Sequence, residues 1–462
     1  MRRFLNSLVE YPAHLLNTVR RGWNRFFFTP ADPTALGLIR ISVGVLLFWN
    51  LLVYGLDLHA FFGSDGWADP ESVRFVHRMQ APAAWSFWFH VPDALLRLVW
   101  VACLVVVALF TVGLWSRVTA VLAWVIVVSV ARRVPVSLFG FDQIVSAWTL
   151  YLAFTFASGQ AVSLDRFLAR YRLARAAVAR RRHDGRWTVP SGVPEPSVSA
   201  NLALRLIQLH LVLIYGMAGL AKLQGPSWWS GTAIWGVLAS AEFGQLDLTW
   251  LAAYPWLLNL LTHSALAFEL GYPVLIWVRV LRPLLLLTAL LMHVGIAISA
   301  PGLTEFGLAM FAGNLAFVSG PWLRSLVGGD GKQSAGRVLY DGACPRCRAS
   351  MALLTAGDPD RLLEPVDLTA VDVATVHPSL TKAACMKAMH LVRADGRIDV
   401  GYDAVVTLSR WIPLFWPLGL VGSLPVLSWG GHRAYNAIAA SRPRDVLCTD
   451  DVCGIHPPSS LT

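Results

Sequence analysis

Long apolar runs fill the first two thirds of the chain, and short apolar runs broken by turn residues fill the rest. Eight long runs lie near 35–55, 96–115, 118–136, 143–158, 202–222, 258–279, 282–300 and 304–320. A bilayer core of about 30 Å needs roughly 20 apolar residues per helix. The pattern therefore predicts an α-helical polytopic membrane domain of about eight spans. The fourth and eighth runs are short, as tilted or protein-covered helices would be. Trp250–Leu261 reads as an interfacial helix or a further span. At the start, Arg2 and Arg3 precede Phe4, Leu5, Leu8, Leu15, Leu16 and Val19, the spacing of an amphipathic helix on the membrane surface and not of a cleavable leader. No internal repeat is visible.

The pattern changes after residue 327. A glycine-rich joint at 328–336 leads to a short strand at Arg337–Tyr340. Pro345 suits the first position of a helix through Met351 and Leu354. Strands follow at Leu362–Val366 and Met389–Val392, a hairpin turn at Asp395-Gly396, and a helix at Ala404–Trp411. This order predicts a small α/β thioredoxin-like domain over 337–447, then a Cys-containing tail at 448–462.

Composition agrees with a membrane protein: 56% of residues are hydrophobic and 14% charged, against roughly 25% charged in soluble domains. The net charge of +10 is concentrated in loops, which points to membrane topology and away from nucleic acid. Arg2, Arg3, Arg20, Arg21 and Arg25 precede the first span. Arg166, Arg170, Arg172, Arg175, Arg180, Arg181, Arg182 and Arg186 follow the fourth, and Arg279 and Arg282 follow the sixth. Eight spans put all of these on one side, the cytoplasm, together with the C-terminal domain. The opposite loops hold Asp57, Asp65, Asp69, Glu71, Glu242 and Asp247; Arg132 and Arg133 are the exception. The expected location is the inner cell membrane.

Five of the six cysteines lie in the C-terminal part: Cys344, Cys347, Cys385, Cys448 and Cys453. Cys344-Pro345-Arg346-Cys347 opens a helix, where unpaired N–H groups and the dipole favour a thiolate. Cys344 reads as the attacking thiol and Cys347 as the resolving one. Half of a zinc site, completed by Cys448, Cys453 and His456, is the alternative, although that spacing is loose for zinc; an inert pair is another. No metal is expected. Cys385 reads as a core residue. Leu339-Tyr340-Asp341-Gly342-x-Cys344-x-x-Cys347, Pro365-Val366-Asp367, Asp395-Gly396 and Gly401-x-Asp403-Ala404 resemble the DCC family of thiol-disulfide oxidoreductases, over roughly 337–445. Ala384-Cys385-Met386 stands where a thioredoxin carries its cis-proline.

Ionisable residues punctuate the apolar runs: Arg40, His210, Lys222, His263, Glu269 and His293. Lys is rare, with four residues among 38 basic ones, and Lys222 closes the fifth run on the side where positive charge is disfavoured. A lysine at a helix end can also snorkel at little cost, and isolated membrane histidines are often hydrogen-bonded core residues. Several ionisable groups together imply a polar interior, in which Lys222 and Glu269 could pair. Leu36-x-Leu38-x-Arg40-x-x-x-Gly44, Ser163-Leu164-Asp165 and Ile214-Tyr215-x-x-Ala218-Gly219-x-x-Lys222-Leu223 with Trp229 and Gly231 resemble the HTTM domain, the bacterial relative of vitamin K-dependent gamma-carboxylase. The resemblance implies a base at Lys222, an acidic partner at Glu269 and an intramembrane His at His293, acting on a reduced, naphthoquinone-like quinone.

The two halves together predict a membrane-bound oxidoreductase. Cys344, Cys347 and Lys222 are its expected catalytic residues, and Glu269, His293, His210 and Arg40 its expected substrate-binding residues. No cofactor follows from the residues themselves. The expected partners are the lipid bilayer, a quinone or other hydrophobic small molecule, and a thiol redox protein. A non-catalytic membrane scaffold with a cytoplasmic docking domain is the main alternative. A transporter, broken at Gly271-Tyr272-Pro273, is a third.

Overall fold

The computed structural model describes residues 2–80, 85–180, 187–240, 246–326 and 335–442. Cys448, Cys453, His456, Glu242, Arg181, Arg182, Arg186 and most of the glycine-rich joint lie outside the described residues. The chain divides into two units. The first contains Met1–Asp165 and Pro194–Pro321, the second Arg166–Val193 and Trp322–Thr462.

The first unit is helical. Its main helices are α1 (Arg2–Phe27), α2 (Thr34–Leu56), α3 (Leu96–Val112), α4 (Ser116–Arg133) and α5 (Gly140–Thr155). A sixth, α6 (Leu164–Ala179), starts here and continues into the second unit. Then come α7 (Val198–Lys222), α8 (Pro255–Leu275), α9 (Arg282–Ser299) and α10 (Thr304–Asn314). Each of the eight long apolar runs falls on one of these helices. Among the described residues, four helices are long and apolar enough to cross a bilayer: Thr34–Leu56, Asp93–Val112, Val198–Lys222 and Arg282–Ser299. They fit a membrane protein. Helices suit that setting because each satisfies its own backbone hydrogen bonds. Their outward side chains are also apolar, as Val45 and Leu291 show.

Trp250–Leu261 is neither a span nor one interfacial helix: a 3-10 turn covers Thr249–Ala253, and Pro255 then starts α8. Helix α8 also runs unbroken through Gly271 and Tyr272, with Pro273 in its last turn. A proline there removes one hydrogen bond near a helix end, which the helix tolerates. Helices α2 and α3 pack against each other, as do α4 with α5 and α7 with α8. Gly44 lets α2 lie against the Thr111 backbone of α3, where any Cβ would collide.

The second unit is built on a four-stranded mixed sheet in the order β2-β1-β3-β4. The strands are β1 (Gly336–Tyr340), β2 (Leu363–Asp367), β3 (His390–Arg393) and β4 (Ile398–Val400). β1 and β2 are parallel; β3 lies antiparallel to both β1 and β4. Helix α11 (Pro345–Gly357) makes the crossover a parallel pair requires. Alternation along the strands yields two cores. Val338, Tyr340 and Leu391 face one side with Met351, Leu408 and Ile412. Leu339 and Val392 face the other with Leu368, Leu380 and Cys385. Gly396, at φ +82°, makes the β3–β4 turn. Helices α12 (Lys382–Lys387), α13 (Tyr402–Trp411), α14 (Trp416–Gly422) and α15 (Pro425–Ala440) complete the unit.

Residues 166–193, which sequence reasoning leaves inside the membrane domain, are part of this second unit. Arg170 donates to the carbonyls of Thr355, Ala356 and Asp358 at 2.8–3.0 Å, capping the C-terminal end of α11. The Trp187 indole N–H donates to Tyr340 Oη at 2.9 Å, and Gly192 N–H to Pro359 O at 3.2 Å.

Candidate functional site

Cys344 is the N-cap of α11, and Pro345 occupies the first turn, where a missing N–H breaks nothing. The Cys347 N–H points at Cys344 Sγ, 3.4 Å away. Two carboxylates shape the loop before it. Asp341 Oδ1 accepts from Ala343 N–H at 3.0 Å. Asp367, at the end of β2, accepts from Gly342 N–H at 3.1 Å, from Thr369 N–H at 2.9 Å and from the Thr369 hydroxyl at 2.7 Å. A Cβ at Gly342 would overlap the Asp367 carboxylate, so the spacing Gly342-x-Cys344 and the distant Asp367 form one device.

The two thiols are free and unequal. A hydrogen bond from the Cys347 thiol, joined by the N–H groups of Cys347 and Arg346, holds the Cys344 thiol down at about 6 against burial and Asp341. The same hydrogen bond, with burial, pushes Cys347 up; Arg442, whose Nη1 lies 3.7 Å from its sulfur, acts the other way. The neighbouring thiol thus contributes more than the helix end, the cause the sequence alone suggests. Cys344 is fully buried and Cys347 only partly.

A cavity of about 250 Å³ reaches Cys347. Leu339, Met351, Leu408 and Ile438 form apolar walls, with Cys385, Tyr435 and Arg442 beside them. Arg442 also donates to Met386 O at 3.0 Å and to Lys387 O. Burial pushes Tyr435 up, and its hydroxyl accepts from Met389 N–H at 2.8 Å. Sequence reasoning misses Arg442 and Tyr435, which lie about 90 residues from the thiols with no motif linking them. Cys385 is buried in the second core and also borders this cavity.

Residues 338–445 match the family model described as DCC1-like thiol-disulfide oxidoreductase. The chain therefore carries a DCC1-like domain, whose matched segment opens two residues into β1 and contains both thiols. Its presence suggests a redox function. Neither a curated protein nor a solved structure matches the chain. The match does not extend to the first unit, where the expected site residues rest on their geometry alone. Among the described residues, no three His, Cys, Asp or Glu side chains converge as metal ligands.

In the first unit, Lys222 Nζ meets both carboxylate oxygens of Glu269, at 2.7 and 2.6 Å. The ammonium also lies 5.1 Å from the Trp228 ring centre. Two helical turns before Lys222, Tyr215 Oη is 2.7 Å from His293 Nε2 and accepts from Asn314 Nδ2 at 3.1 Å. Tyr272 donates to Asn314 Oδ1 at 2.7 Å. His293 Nδ1 is buried and has no hydrogen-bond partner among the described residues. Sequence reasoning does not mark Tyr215, Tyr272 or Asn314 as site residues.

The other two expected binding residues lie elsewhere. His210 Nδ1 is 3.1 Å from the Tyr151 hydroxyl, and the twelve residues separating it from Lys222 span roughly 18 Å of helix. Arg40 is fully buried and donates to the carbonyls of Thr111, Ser158 and Val162, tying α2 to the end of α3 and to the segment after α5. Asp165 accepts from the N–H groups of Trp115 and Ser116, both at 2.8 Å, and so starts α4.

Proposed function

We propose that the chain is a membrane-bound thiol-disulfide oxidoreductase working through Cys344 and Cys347. The supporting observation is their asymmetry: one thiol held low by a hydrogen bond from the other. The strand order and directions support a thioredoxin-like reading of the DCC1-like domain. In the proposed step, Cys344 Sγ attacks one sulfur of a substrate disulfide and expels the other as a thiolate. Cys347 then gives up its proton, aided by Arg442, and attacks Cys344 Sγ. The mixed disulfide breaks, the second substrate sulfur leaves, and a Cys344–Cys347 bond forms. Two electrons pass to the substrate, and the two cysteine protons end on its sulfurs. Because Cys344 is fully buried, a substrate reaches it only when the site opens locally. That burial is also the observation that favours the alternative, a non-catalytic docking domain.

The test uses the full chain in lipid nanodiscs with a disulfide substrate. Cys347→Ser should accumulate a mixed disulfide on Cys344, and Cys344→Ser should abolish turnover. Full turnover by Cys344→Ser would sink the reading, and no alkylation of Cys344 at any pH would favour docking.

The proposal extends to the membrane half, as an eight-span HTTM-like domain taking a quinone-like ligand at Lys222. The bidentate Lys222–Glu269 contact supports it, as does the buried His293 Nδ1, which lacks a hydrogen-bond partner among the described residues. A reduced quinone, when bound, would supply two electrons and an acidic hydroxyl. The chain's own part is to move a proton: transfer from Nζ to Glu269 leaves an amine that can take another. The loop charges keep the N-terminus and the thiol domain cytoplasmic, with Lys222 at the outer end of α7, so the two sites act on opposite faces. Mass analysis of lipid extracts from purified protein tests this; a co-purifying quinone lost in Lys222→Ala supports it, and its absence counts against it.

A further inference from the structure

The segment Trp411–Gly431 carries no charged side chain over 21 residues. Such a run inside a small α/β unit would ordinarily be core. Ile412 and Gly419 are buried and Trp411 and Phe415 pack partly against the first core, but most of the larger side chains after Phe415 are exposed. Leu418, Leu420, Val421, Leu424, Val426 and Trp429 are between 51% and 82% exposed. They lie on the short helix α14, the following turn and the start of α15, and make one continuous apolar stretch. A folded soluble surface rarely leaves so much contiguous apolar area in water.

We infer that this face of the second unit is a membrane-contact surface, seated on the interface of a bilayer. Two observations select lipid over a protein partner. The first is the rim. Exposed Arg410 and Arg433 bracket the uncharged stretch, and the Arg433 guanidinium lies 3.8 Å from the centre of the Trp429 ring. An apolar stretch with Trp429 near one end and an exposed arginine flanking each end matches the headgroup boundary, where Trp prefers to sit and cations meet phosphate. The second is covalent. The unit joins the one bearing the bilayer-length helices at three points along the chain, 165–166, 193–194 and 321–322. A lipid surface is therefore always at high effective concentration, whereas a protein partner would have to be recruited. Helix α15 also contributes Tyr435, Ile438 and Ala439 to the cavity at Cys347. The contact would hold that cavity beside the headgroups and gives a lipid-soluble or membrane-anchored substrate a short approach.

The test places p-benzoylphenylalanine at Leu420, Leu424 or Val426 of the full chain in nanodiscs of zwitterionic and anionic phospholipid. Leu291 in α9 serves as the positive control and exposed Glu364 on β2 as the negative one. Irradiation should give phospholipid adducts at all three patch positions and at Leu291, and none at Glu364. Leu420→Glu with Val426→Glu should cut adduct formation at position 424 about tenfold, since each carboxylate resists leaving water. Cross-links from the patch to this chain or to a second copy, adducts at Leu291 alone, or equal adducts at Glu364 would each overturn the inference. These readouts do not depend on thiol chemistry, so they stand or fall apart from the redox reading.

Discussion

Single residues here mean different things according to what surrounds their polar atoms. Arg133 breaks the charge rule in sequence, and the structure says why: it is fully buried and donates to Ala68 O at 2.6 Å and Gly63 O at 2.8 Å. It ties down loop carbonyls instead of sitting in a charged loop, and Arg40 does the same elsewhere. Cys344 and Cys347 share one motif, yet their hydrogen bond splits their acidities in opposite directions. The alkylation rate of Cys344, followed by peptide mass analysis, should therefore titrate with a midpoint near the value of about 6. Below that pH the thiol is protonated and slow; above it the thiolate dominates. Cys347→Ala removes the donating thiol and should move the midpoint up, though not fully, because two backbone N–H groups remain. The Lys222–Glu269 pair gives a second residue-scale prediction, since its side chains are 25% and 10% exposed. Lys222→Met should cost roughly 2 kcal/mol by stranding Glu269, less than a fully buried pair loses because Lys222 is partly wet. Adding Glu269→Leu should recover most of that loss in thermal unfolding.

At the scale of elements, α11 depends on partners at both ends. Its N-terminus holds Cys344, and its last carbonyls accept from Arg170, far away in sequence on α6. The C-terminal carbonyls of a helix lack partners of their own, so a planar fork that reaches three of them anchors the whole helix. Arg170→Ala should destabilise the second unit by about 2 kcal/mol. Arg170→Lys should recover little, because a point charge cannot reproduce the fork. Differential scanning fluorimetry of the full chain reads both. Strands β1 to β3, the turn at Asp395-Gly396 and helices α11 and α13 are legible in sequence to within a few residues, because apolar alternation and turn chemistry are local, whereas β4, α12, α14 and α15 are not. Arg170 was not: as one of many arginines in a basic loop, it carries no local mark of its role.

At the scale of the molecule, residues 166–193 and the DCC1-like domain form one unit, so they must occupy the same side of any bilayer. An even number of crossings must then separate Val193 from Trp322. Cysteines placed at exposed Arg175 and Asp395 should react with an impermeant maleimide from the same face of sealed vesicles. Labelling from opposite faces would break the unit apart and with it the topology. If loop charge sets the orientation, that face is cytoplasmic.

Periodicity and composition alone determined the helical apolar half, the mixed α/β unit and the pair Cys344–Cys347, because these follow from local propensity and from the cost of apolar surface in water. The tertiary structure decided what those elements serve. It paired Lys222 with Glu269, left Arg40 among backbone carbonyls, and brought Arg442 and Tyr435 to Cys347. Such pairings come from chain segments far apart in sequence, and only packing brings them within hydrogen-bonding distance.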